Sequence, residues 1–348
     1  MSALWTLREV AVAVGAASAA DGAVSGVSID TRTLAAGDLF VALKDARDGH
    51  DFVGDAIARG AAAALVARDV PGVAHEKLIR VADTQGALEA MGRARRSAVG
   101  ARIAAVTGSV GKTSVKEALR HLLTSQGRCH ASAASYNNLW GVPLSLARMP
   151  RDADYGVFEI GMNHAGEITP LTAQVRPHVA IVTMVAAVHL EHFPSVDAIA
   201  DAKGEIFSGL EPGGVAVING DLAWSERLKA HAAKAKPSRT IAYGRASGCD
   251  VRLTSLELGA QSSDVHVELF GKPLRYRVGA PGEHWAINSL GVLAVIAALG
   301  ADAERAAADM ASLSALSGRG AREQIAGPRG TFTLIDESYN ANPLSMAA

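Results

Sequence analysis

Ile103-Ala-Ala-Val-Thr-Gly-Ser-Val-Gly-Lys-Thr-Ser-Val-Lys-Glu-Ala-Leu-Arg-His-Leu-Leu123 is the stretch from which the rest of the chain can be organised. Ile103 to Thr107 reads as a buried strand, Gly108 and Gly111 punctuate a turn, and Ser114 to Leu123 places apolar residues at helical spacing. A glycine turn between strand and helix lets backbone N–H groups approach phosphate oxygens, and the helix N-terminus adds positive potential. Gly108, Ser109, Val110 and Gly111 would form that cradle, with Thr113 and Ser114 in the first helical turn. Lys112 would reach the β- and γ-phosphates, and the Thr113 hydroxyl would face Mg²⁺. The pattern is a shortened G-x-x-x-x-G-K-[ST], because Val106 stands at the leading glycine. A plain strand–turn–helix with an incidental lysine is the competing reading; ATP or GTP binding is the expectation.

Downstream, short β-branched runs alternate with amphipathic stretches, which implies βα units and a mostly parallel sheet. Tyr155 to Ile160, Val179 to Met184, Val215 to Asn219 and Thr240 to Tyr243 read as buried strands. Val196 to Leu210, Ser225 to Ala235, Trp285 to Leu299 and Ala303 to Leu313 read as helices. Val251 to Val278 alternates at period two and contains Gly271-Lys-Pro, so a small antiparallel part is expected there. Boundaries fall near Gly100 and near Ser317 to Gly320. They divide the chain into 1–100, a central 101–317, and 318–348, where a strand over Thr331 to Asp336 starts a βα unit that the chain does not complete.

With 348 residues, two or three domains are expected at about 150 residues each. Lys plus Arg number 34 against 35 Asp plus Glu, a net charge of −1 that argues against a nucleic-acid-binding role. Two cysteines, Cys129 and Cys249, cannot build a disulfide framework, which points to a reducing, cytoplasmic setting. No apolar run approaches the ~20 residues that cross a bilayer, so membrane insertion is not expected. Val10 to Ala20 is apolar and small, but Arg8 is followed by Glu9 and gives no basic leader; the run reads as a first helix.

Taken one at a time, the other chemistry-bearing residues are ambiguous. Glu159 ends a strand and is either a second Mg²⁺ ligand or a solvated carboxylate. His189 and His192 are three apart but lack a third nitrogen or sulfur ligand for zinc. Lys203 reads as an exposed helix lysine, Asn288 as a helix-surface amide, and Arg93, Arg95 and Arg96 as a solvated helix face. Ser28-Ile-Asp-Thr-Arg32 and Asp48-Gly-His-Asp-Phe52 read as turn residues and a surface ion pair.

Jointly they resemble a known family. The Thr107-Gly-Ser-Val-Gly-Lys-Thr-Ser114 loop is similar to that of the Mur ligases, ATP-dependent amide-forming enzymes of peptidoglycan synthesis. Tyr136-Asn-Asn-Leu-Trp-Gly-Val-Pro143, Glu159-Ile-Gly-Met-Asn-His-Ala-Gly-Glu167, His189-Leu-Glu191, Asp201-Ala-Lys-Gly-Glu-Ile-Phe207, Asn219-Gly-Asp221 and Asp336-Glu-Ser-Tyr-Asn-Ala-Asn-Pro343 follow in the family's order. The chain departs at Asp45, where glycine is frequent, and at Met184-Val-Ala-Ala187, where Asn-Val-Gly-Pro is usual.

The resemblance implies an α/β protein with an N-terminal domain binding the UDP-muramoyl peptide, a central phosphate-loop ATP domain, and the beginning of a Rossmann-like ligase domain. It further implies the family activity that joins D-alanyl-D-alanine to UDP-N-acetylmuramoyl-tripeptide through an acyl phosphate, carried out by a monomer. Thr113, Glu159, His189 and a carbamylated Lys203 would hold two Mg²⁺ ions, with Lys112, Glu159, His189 and Lys203 as the catalytic set. Asn288 would meet the adenine, Arg319 and Asp336 the ATP on domain closure, and Asn137 and Asn138 the phosphoryl-transfer site. Ser28, Asp30, Thr31, Arg32, Asp48, Gly49 and His50 would hold the UDP part, Arg32 by pairing with the pyrophosphate. Three alternatives stay open: a sibling ligase with another amino-acid acceptor, an unrelated P-loop NTPase, and a chain that binds nucleotide with little turnover of its own.

Overall fold

Period-two alternation builds the first unit. In the computed structural model, which describes residues 3–16, 21–133, 135–188, 190–327 and 330–339, the chain begins with β1 (Trp5–Thr6), α1 (Leu7–Val14), β2 (Ala23–Val24) and β3 (Gly26–Ser28). It continues with β4 (Asp38–Val41), α2 (Val53–Ala58), β5 (Ala63–Val66), β6 (Leu78–Arg80) and α3 (Thr84–Ala98). Strands β3 to β6 pair in that order, all parallel. Successive side chains leave a strand on opposite faces. Leu39 and Val41 therefore enter one apolar cluster and Phe40 another; in β5, Ala63 and Leu65 separate likewise from Ala64 and Val66. A parallel sheet needs cover on both faces, and these two clusters supply it.

Helix α1 opens on a capping box between Thr6 and Glu9 and stops at Gly15 (φ +67°). The first helix thus ends at Val14, short of the run to Ala20, of which 17–20 lie outside the described residues. The arginines of α3 correct an expectation. Arg93 pairs with Glu89 on the surface, but Arg95 and Arg96 are only 0% and 5% exposed. The Arg95 guanidinium lies 4.0 Å from the Trp5 ring centroid and donates to the Leu4 carbonyl, and burial pulls its pKa down to about 10. An aromatic face and one carbonyl replace the water that a solvated helix face would offer.

The second unit starts with β7 (Arg102–Thr107), α4 (Lys112–Thr124) and β8 (Cys129–Ala131). The chain then returns to the first unit, which comprises Met1–Ala101 and Ser132–Gly156. This excursion carries α5 (Gly141–Ala147), packed on α3 where Gly92 leaves room: a Cβ there would sit 3.1 Å from the Pro143 carbonyl oxygen. The Ala147 carbonyl accepts the Trp5 indole N–H at 2.8 Å. No periodicity in 132–156 signals this return.

The second unit resumes through β9 (Tyr155–Glu159), α6 (Ile168–Val175), β10 (Val179–Val182), α7 (Val196–Gly204), β11 (Val215–Asn219), α8 (Ser225–Lys234) and β12 (Arg239–Gly244). After these come β13 (Val251–Leu258), β14 (Ser263–Leu269), β15 (Lys272–Val278), α9 (Glu283–Ala298), α10 (Ala303–Asp309), β16 (Ala321–Gly327) and β17 (Gly330–Asp336). Nine strands form one sheet in the order β15-β14-β13-β12-β11-β10-β7-β9-β8. Pairing is parallel between β7 and β10 and from β10 to β13, and antiparallel from β13 to β15, as the hydrophobic pattern anticipates. Helix α9 is buried continuously from Ser289 to Ile296, because Gly291 lets it approach the sheet; an added Cβ would lie 2.9 Å from Tyr243 Cζ and 3.0 Å from Ile181 Cδ1.

Two boundaries differ from the periodic reading. The helix over 196–210 stops at Gly204 and tightens into a 3₁₀ turn, Glu205–Gly209, and α10 likewise passes into Met310–Ser312. The strand over 331–336 is β17, but it pairs antiparallel with β16, a strand whose mixed polar sequence carries no clear apolar alternation. Pro343 and the rest of the anticipated βα unit lie outside the described residues.

Candidate active site

In the second unit the cradle is fixed from both sides of its turn. Ser109 N–H donates to the Met184 carbonyl at 2.7 Å, and the Ser109 hydroxyl exchanges hydrogen bonds with the Ala186 carbonyl and N–H. The Thr183 hydroxyl donates to the Val110 carbonyl at 2.6 Å. Tyr243 and Asn219 in turn donate to the Thr183 carbonyl. Gly111 (φ +83°) opens α4 in the left-handed region that glycine adopts without strain. A Cβ on Gly111 would lie 3.3 Å from the Asn288 amide, so α9 delivers Asn288 directly against the turn. Thr183 holds the turn and carries no motif of its own in the sequence; it follows an apolar strand.

The cradle's charges are uneven. The Lys112 ammonium folds back onto the Gly108 carbonyl at 2.8 Å and is also close to the Ser109 carbonyl. Burial lowers its pKa, the positive Arg319 adds to that, and Glu159 opposes both. The Thr113 hydroxyl donates to Glu159 Oε2 at 2.9 Å, and both side chains are buried. Lys203 is not an exposed helix lysine: it is 3% exposed. Burial, and next the charge of Lys112, push its pKa well below the ordinary lysine range. Lys112 and Arg319 set two positive groups near Glu159, a local field suited to a polyphosphate although the whole chain is nearly neutral.

Arg319 and Asp336 are brought together at the base of the β16–β17 hairpin. Asp336 accepts from the Gly318 N–H and from both the N–H and hydroxyl of Ser338, which lowers its pKa. Arg319 lies over the Tyr339 ring at 4.6 Å. His189 lies outside the described residues. His192 stacks on His164 with centroids 4.4 Å apart. Among the described residues no group of three or more His, Cys, Asp or Glu side chains could hold a metal. The hydroxyl–carboxylate pair of Thr113 and Glu159 does match the sparse hard-oxygen donor set that Mg²⁺ accepts beside phosphates.

In the first unit, hydrogen bonds from Arg32 lower the Asp30 pKa, and the positive charge of Arg47, next to the Asp48-Gly-His50 segment, adds to that. Arg32 grips Asp30 in a two-pronged pair, at 3.0 and 2.6 Å, while its side chain stays exposed. Ser28 donates to the Asp30 carbonyl, and Gly49 is required because a Cβ would fall 2.4 Å from the Leu43 carbonyl oxygen. Thr31 is half-buried beside them. His50 is committed internally. Its Nε2 accepts the Ala67 N–H at 2.8 Å, so Nδ1 carries the proton and donates to Asp48 at 2.6 Å. Asn137 and Asn138 also belong to this unit, where Asn138 Oδ1 accepts the Gly141 N–H at the start of α5.

The His50 N–H and imidazole, and then Arg68, hold the Asp48 carboxyl far below its usual 3.8. A carboxyl depressed in the folded state stabilises above its unfolded pKa and loses that contribution as pH falls. Asp48→Asn is therefore expected to lower the melting temperature at pH 7, and the deficit should shrink as pH is lowered from about 4 toward 2. Calorimetry across that range checks it; a deficit independent of pH would contradict it.

The pattern defining the Mur ligase middle domain matches residues 106–296, and that of the Mur ligase family catalytic domain matches 23–96. The chain is 34% identical to the UDP-N-acetylmuramoyl-tripeptide–D-alanyl-D-alanine ligase of Rickettsia prowazekii, over 99% of this chain and 76% of that protein. It superposes on a crystal structure of MurF from Acinetobacter baumannii with a TM-score of 0.88 at 31% identity, covering 99% of this chain and 75% of that one. MurF from Thermotoga maritima in complex with ADP gives a TM-score of 0.77 at 26% identity, over 92% of this chain and 73% of that one.

Proposed function

The chain belongs to the Mur ligase family, and from that premise we propose that it joins D-alanyl-D-alanine to UDP-N-acetylmuramoyl-tripeptide at the expense of ATP. The observation that carries the reading is the cradle itself, with Lys112, the buried Thr113–Glu159 contact and the buried Lys203 gathered beyond the C-terminal ends of β7 and β9.

A carboxylate is a poor electrophile, so its oxygen must first become a leaving group. The terminal carboxylate of the tripeptide attacks the γ-phosphorus of ATP, the β–γ bridging oxygen departs with ADP, and an acyl phosphate forms. The amine of D-alanyl-D-alanine then attacks the acyl carbon, phosphate leaves, and the amide remains. Lys112 and the cradle N–H groups offset charge on the transferring group. To do so the Lys112 ammonium exchanges its Gly108 carbonyl for phosphate oxygen. Asn288, seated against Gly111, would meet the adenine, Arg319 would approach the nucleotide phosphates, and Asp336 would meet the ATP on domain closure.

Thr113, Glu159, His189 and Lys203 would hold Mg²⁺, which supplies charge neutralisation at the phosphates. Lys203 suits that role as a carbamate: an amine with a depressed pKa adds carbon dioxide, loses a proton and becomes an oxygen donor. Its burial supports that assignment. In the first unit Ser28, Asp30, Thr31, Arg32, Asp48 and Gly49 would contact the UDP part directly. His50 would act through Asp48, both ring nitrogens being committed. Asn137 and Asn138 would serve the substrate carboxylate.

We assign 1–100, with the 132–156 excursion that belongs to the same unit, to the UDP-substrate domain, the rest of 101–317 to the ATP domain and 318–348 to the start of the ligase domain, in a cytoplasmic monomer. No helix among the described residues is long and apolar enough to cross a membrane. The experiment is an acceptor panel on the full-length protein, with ATP, Mg²⁺ and UDP-N-acetylmuramoyl-tripeptide, analysed by mass. The expected product gains one D-alanyl-D-alanine less water. Consumption of a single amino acid in its place would make the enzyme a sibling ligase and overturn the proposal.

A further inference from the structure

On the ligase reading above, we infer that Glu205 is a positioning residue, whose carboxylate fixes the helix that carries Lys203 to the segment that leaves Glu159. Glu205 directly follows the last residue of α7, two positions after Lys203. Its Oε1 accepts the Gly166 N–H at 2.7 Å, and its Oε2 accepts the Thr169 N–H at 3.1 Å and the Thr169 hydroxyl at 3.0 Å. These donors stand at the start of α6, where backbone N–H groups lack intrahelical partners and the helix dipole favours a negative charge. Gly166 follows Glu159 by only seven positions, so the carboxylate closes a short loop between Lys203 and Glu159.

A second contact keeps the joint rigid. The Thr172 hydroxyl donates to the Ile206 carbonyl at 2.9 Å, and Gly209 packs so closely that a Cβ would fall 2.4 Å from the Thr172 carbonyl oxygen. On its other flank α7 is tied to α8. Asp201 accepts from Arg227 and His231, and Asp197 from the Trp224 indole at 2.7 Å. That flank secures the helix without leading to Glu159. The Glu205 flank, unlike the α8 flank, leads from Lys203 to the segment after Glu159, and errors near 1 Å in such geometry cost up to about a hundredfold in rate.

Glu205→Gln keeps the side chain's length but sets an amide NH₂ against a row of donors. Asp197→Asn weakens the opposite flank and serves as the control. In the full-length enzyme, Glu205→Gln is expected to lower kcat by about tenfold or more. The Mg²⁺ concentration for half-maximal rate should rise severalfold, while ADP affinity by calorimetry stays within about twofold. Asp197→Asn should cost a similar amount of thermal stability with kcat within about twofold. Unchanged kcat and Mg²⁺ dependence in Glu205→Gln, or equal kcat losses in both variants, would overturn the positioning role. If the unaltered enzyme shows no turnover that depends on both substrates, the ligase reading falls first and this inference with it.

Discussion

Lys203→Met is expected to raise the melting temperature while abolishing turnover. The side chain is 3% exposed, and its ammonium is disfavoured first by burial and then by the charge of Lys112. Methionine fills a similar volume without a charge to desolvate. Replacing buried ionic groups with apolar ones of like size is often neutral or stabilising by about 1–4 kcal/mol, and a gain toward the lower end is expected here. Activity should fall by roughly a thousandfold, the scale seen when a preorganised charge is removed from a transition state. Lys203→Arg should be equally inactive, since a guanidinium cannot become the carbamate that an amine can. Calorimetry in bicarbonate-free buffer and an ATP turnover assay check both halves. A lowered melting temperature would mean that Lys203 is satisfied in the fold, and retained turnover would remove it from the site.

Gly108→Ala should disable the cradle without touching a charged group. A Cβ at this position would lie 2.0 Å from Thr183 Oγ1 and 3.1 Å from the Met184 nitrogen. Thr183 cannot simply yield, because its hydroxyl holds the Val110 carbonyl and its N–H holds the Thr107 carbonyl. The turn must open instead, which scatters the N–H groups that face phosphate. ADP affinity is expected to fall about a hundredfold, or about 2.7 kcal/mol. Adding Thr183→Ala removes the nearest clash but also the tie to Val110, and Met184 stays in place, so recovery should be partial. Titration calorimetry with ADP decides it; wild-type affinity in Gly108→Ala would show that the turn has room the structure denies.

What the sequence makes legible follows from locality. The strand–turn–helix at 103–123 appears where periodicity and glycine placement put it, because backbone geometry there depends on neighbours in sequence. The same holds for Val215–Asn219, a strand with the bounds its β-branched run indicates. Burial of charged groups is not local. Arg95 looks solvent-facing by its charged neighbours, yet Trp5, ninety residues earlier, covers it. Lys203 looks like any helix lysine, and only the family's motif order singles it out; the buried position comes from packing that no single helix encodes. Excursion 132–156 is hidden for a related reason, since its apolar residues Leu144 and Ala147 fit a core to which β3 to β6, α1 and α3 contribute. Among the candidate substrate residues, motif order gathers Asp48 and His50, but the tautomer of His50 depends on Ala67, a backbone group that a side-chain pattern cannot reveal.

The decisive measurement is phosphate release from ATP and Mg²⁺ on the full-length protein, with both UDP-N-acetylmuramoyl-tripeptide and D-alanyl-D-alanine and with each omitted in turn. Sustained release is expected only when both are present, because the acyl phosphate forms on one substrate and is discharged by the other. Release that is indifferent to both would contradict it, and would leave the phosphate cradle as part of an ordinary NTPase.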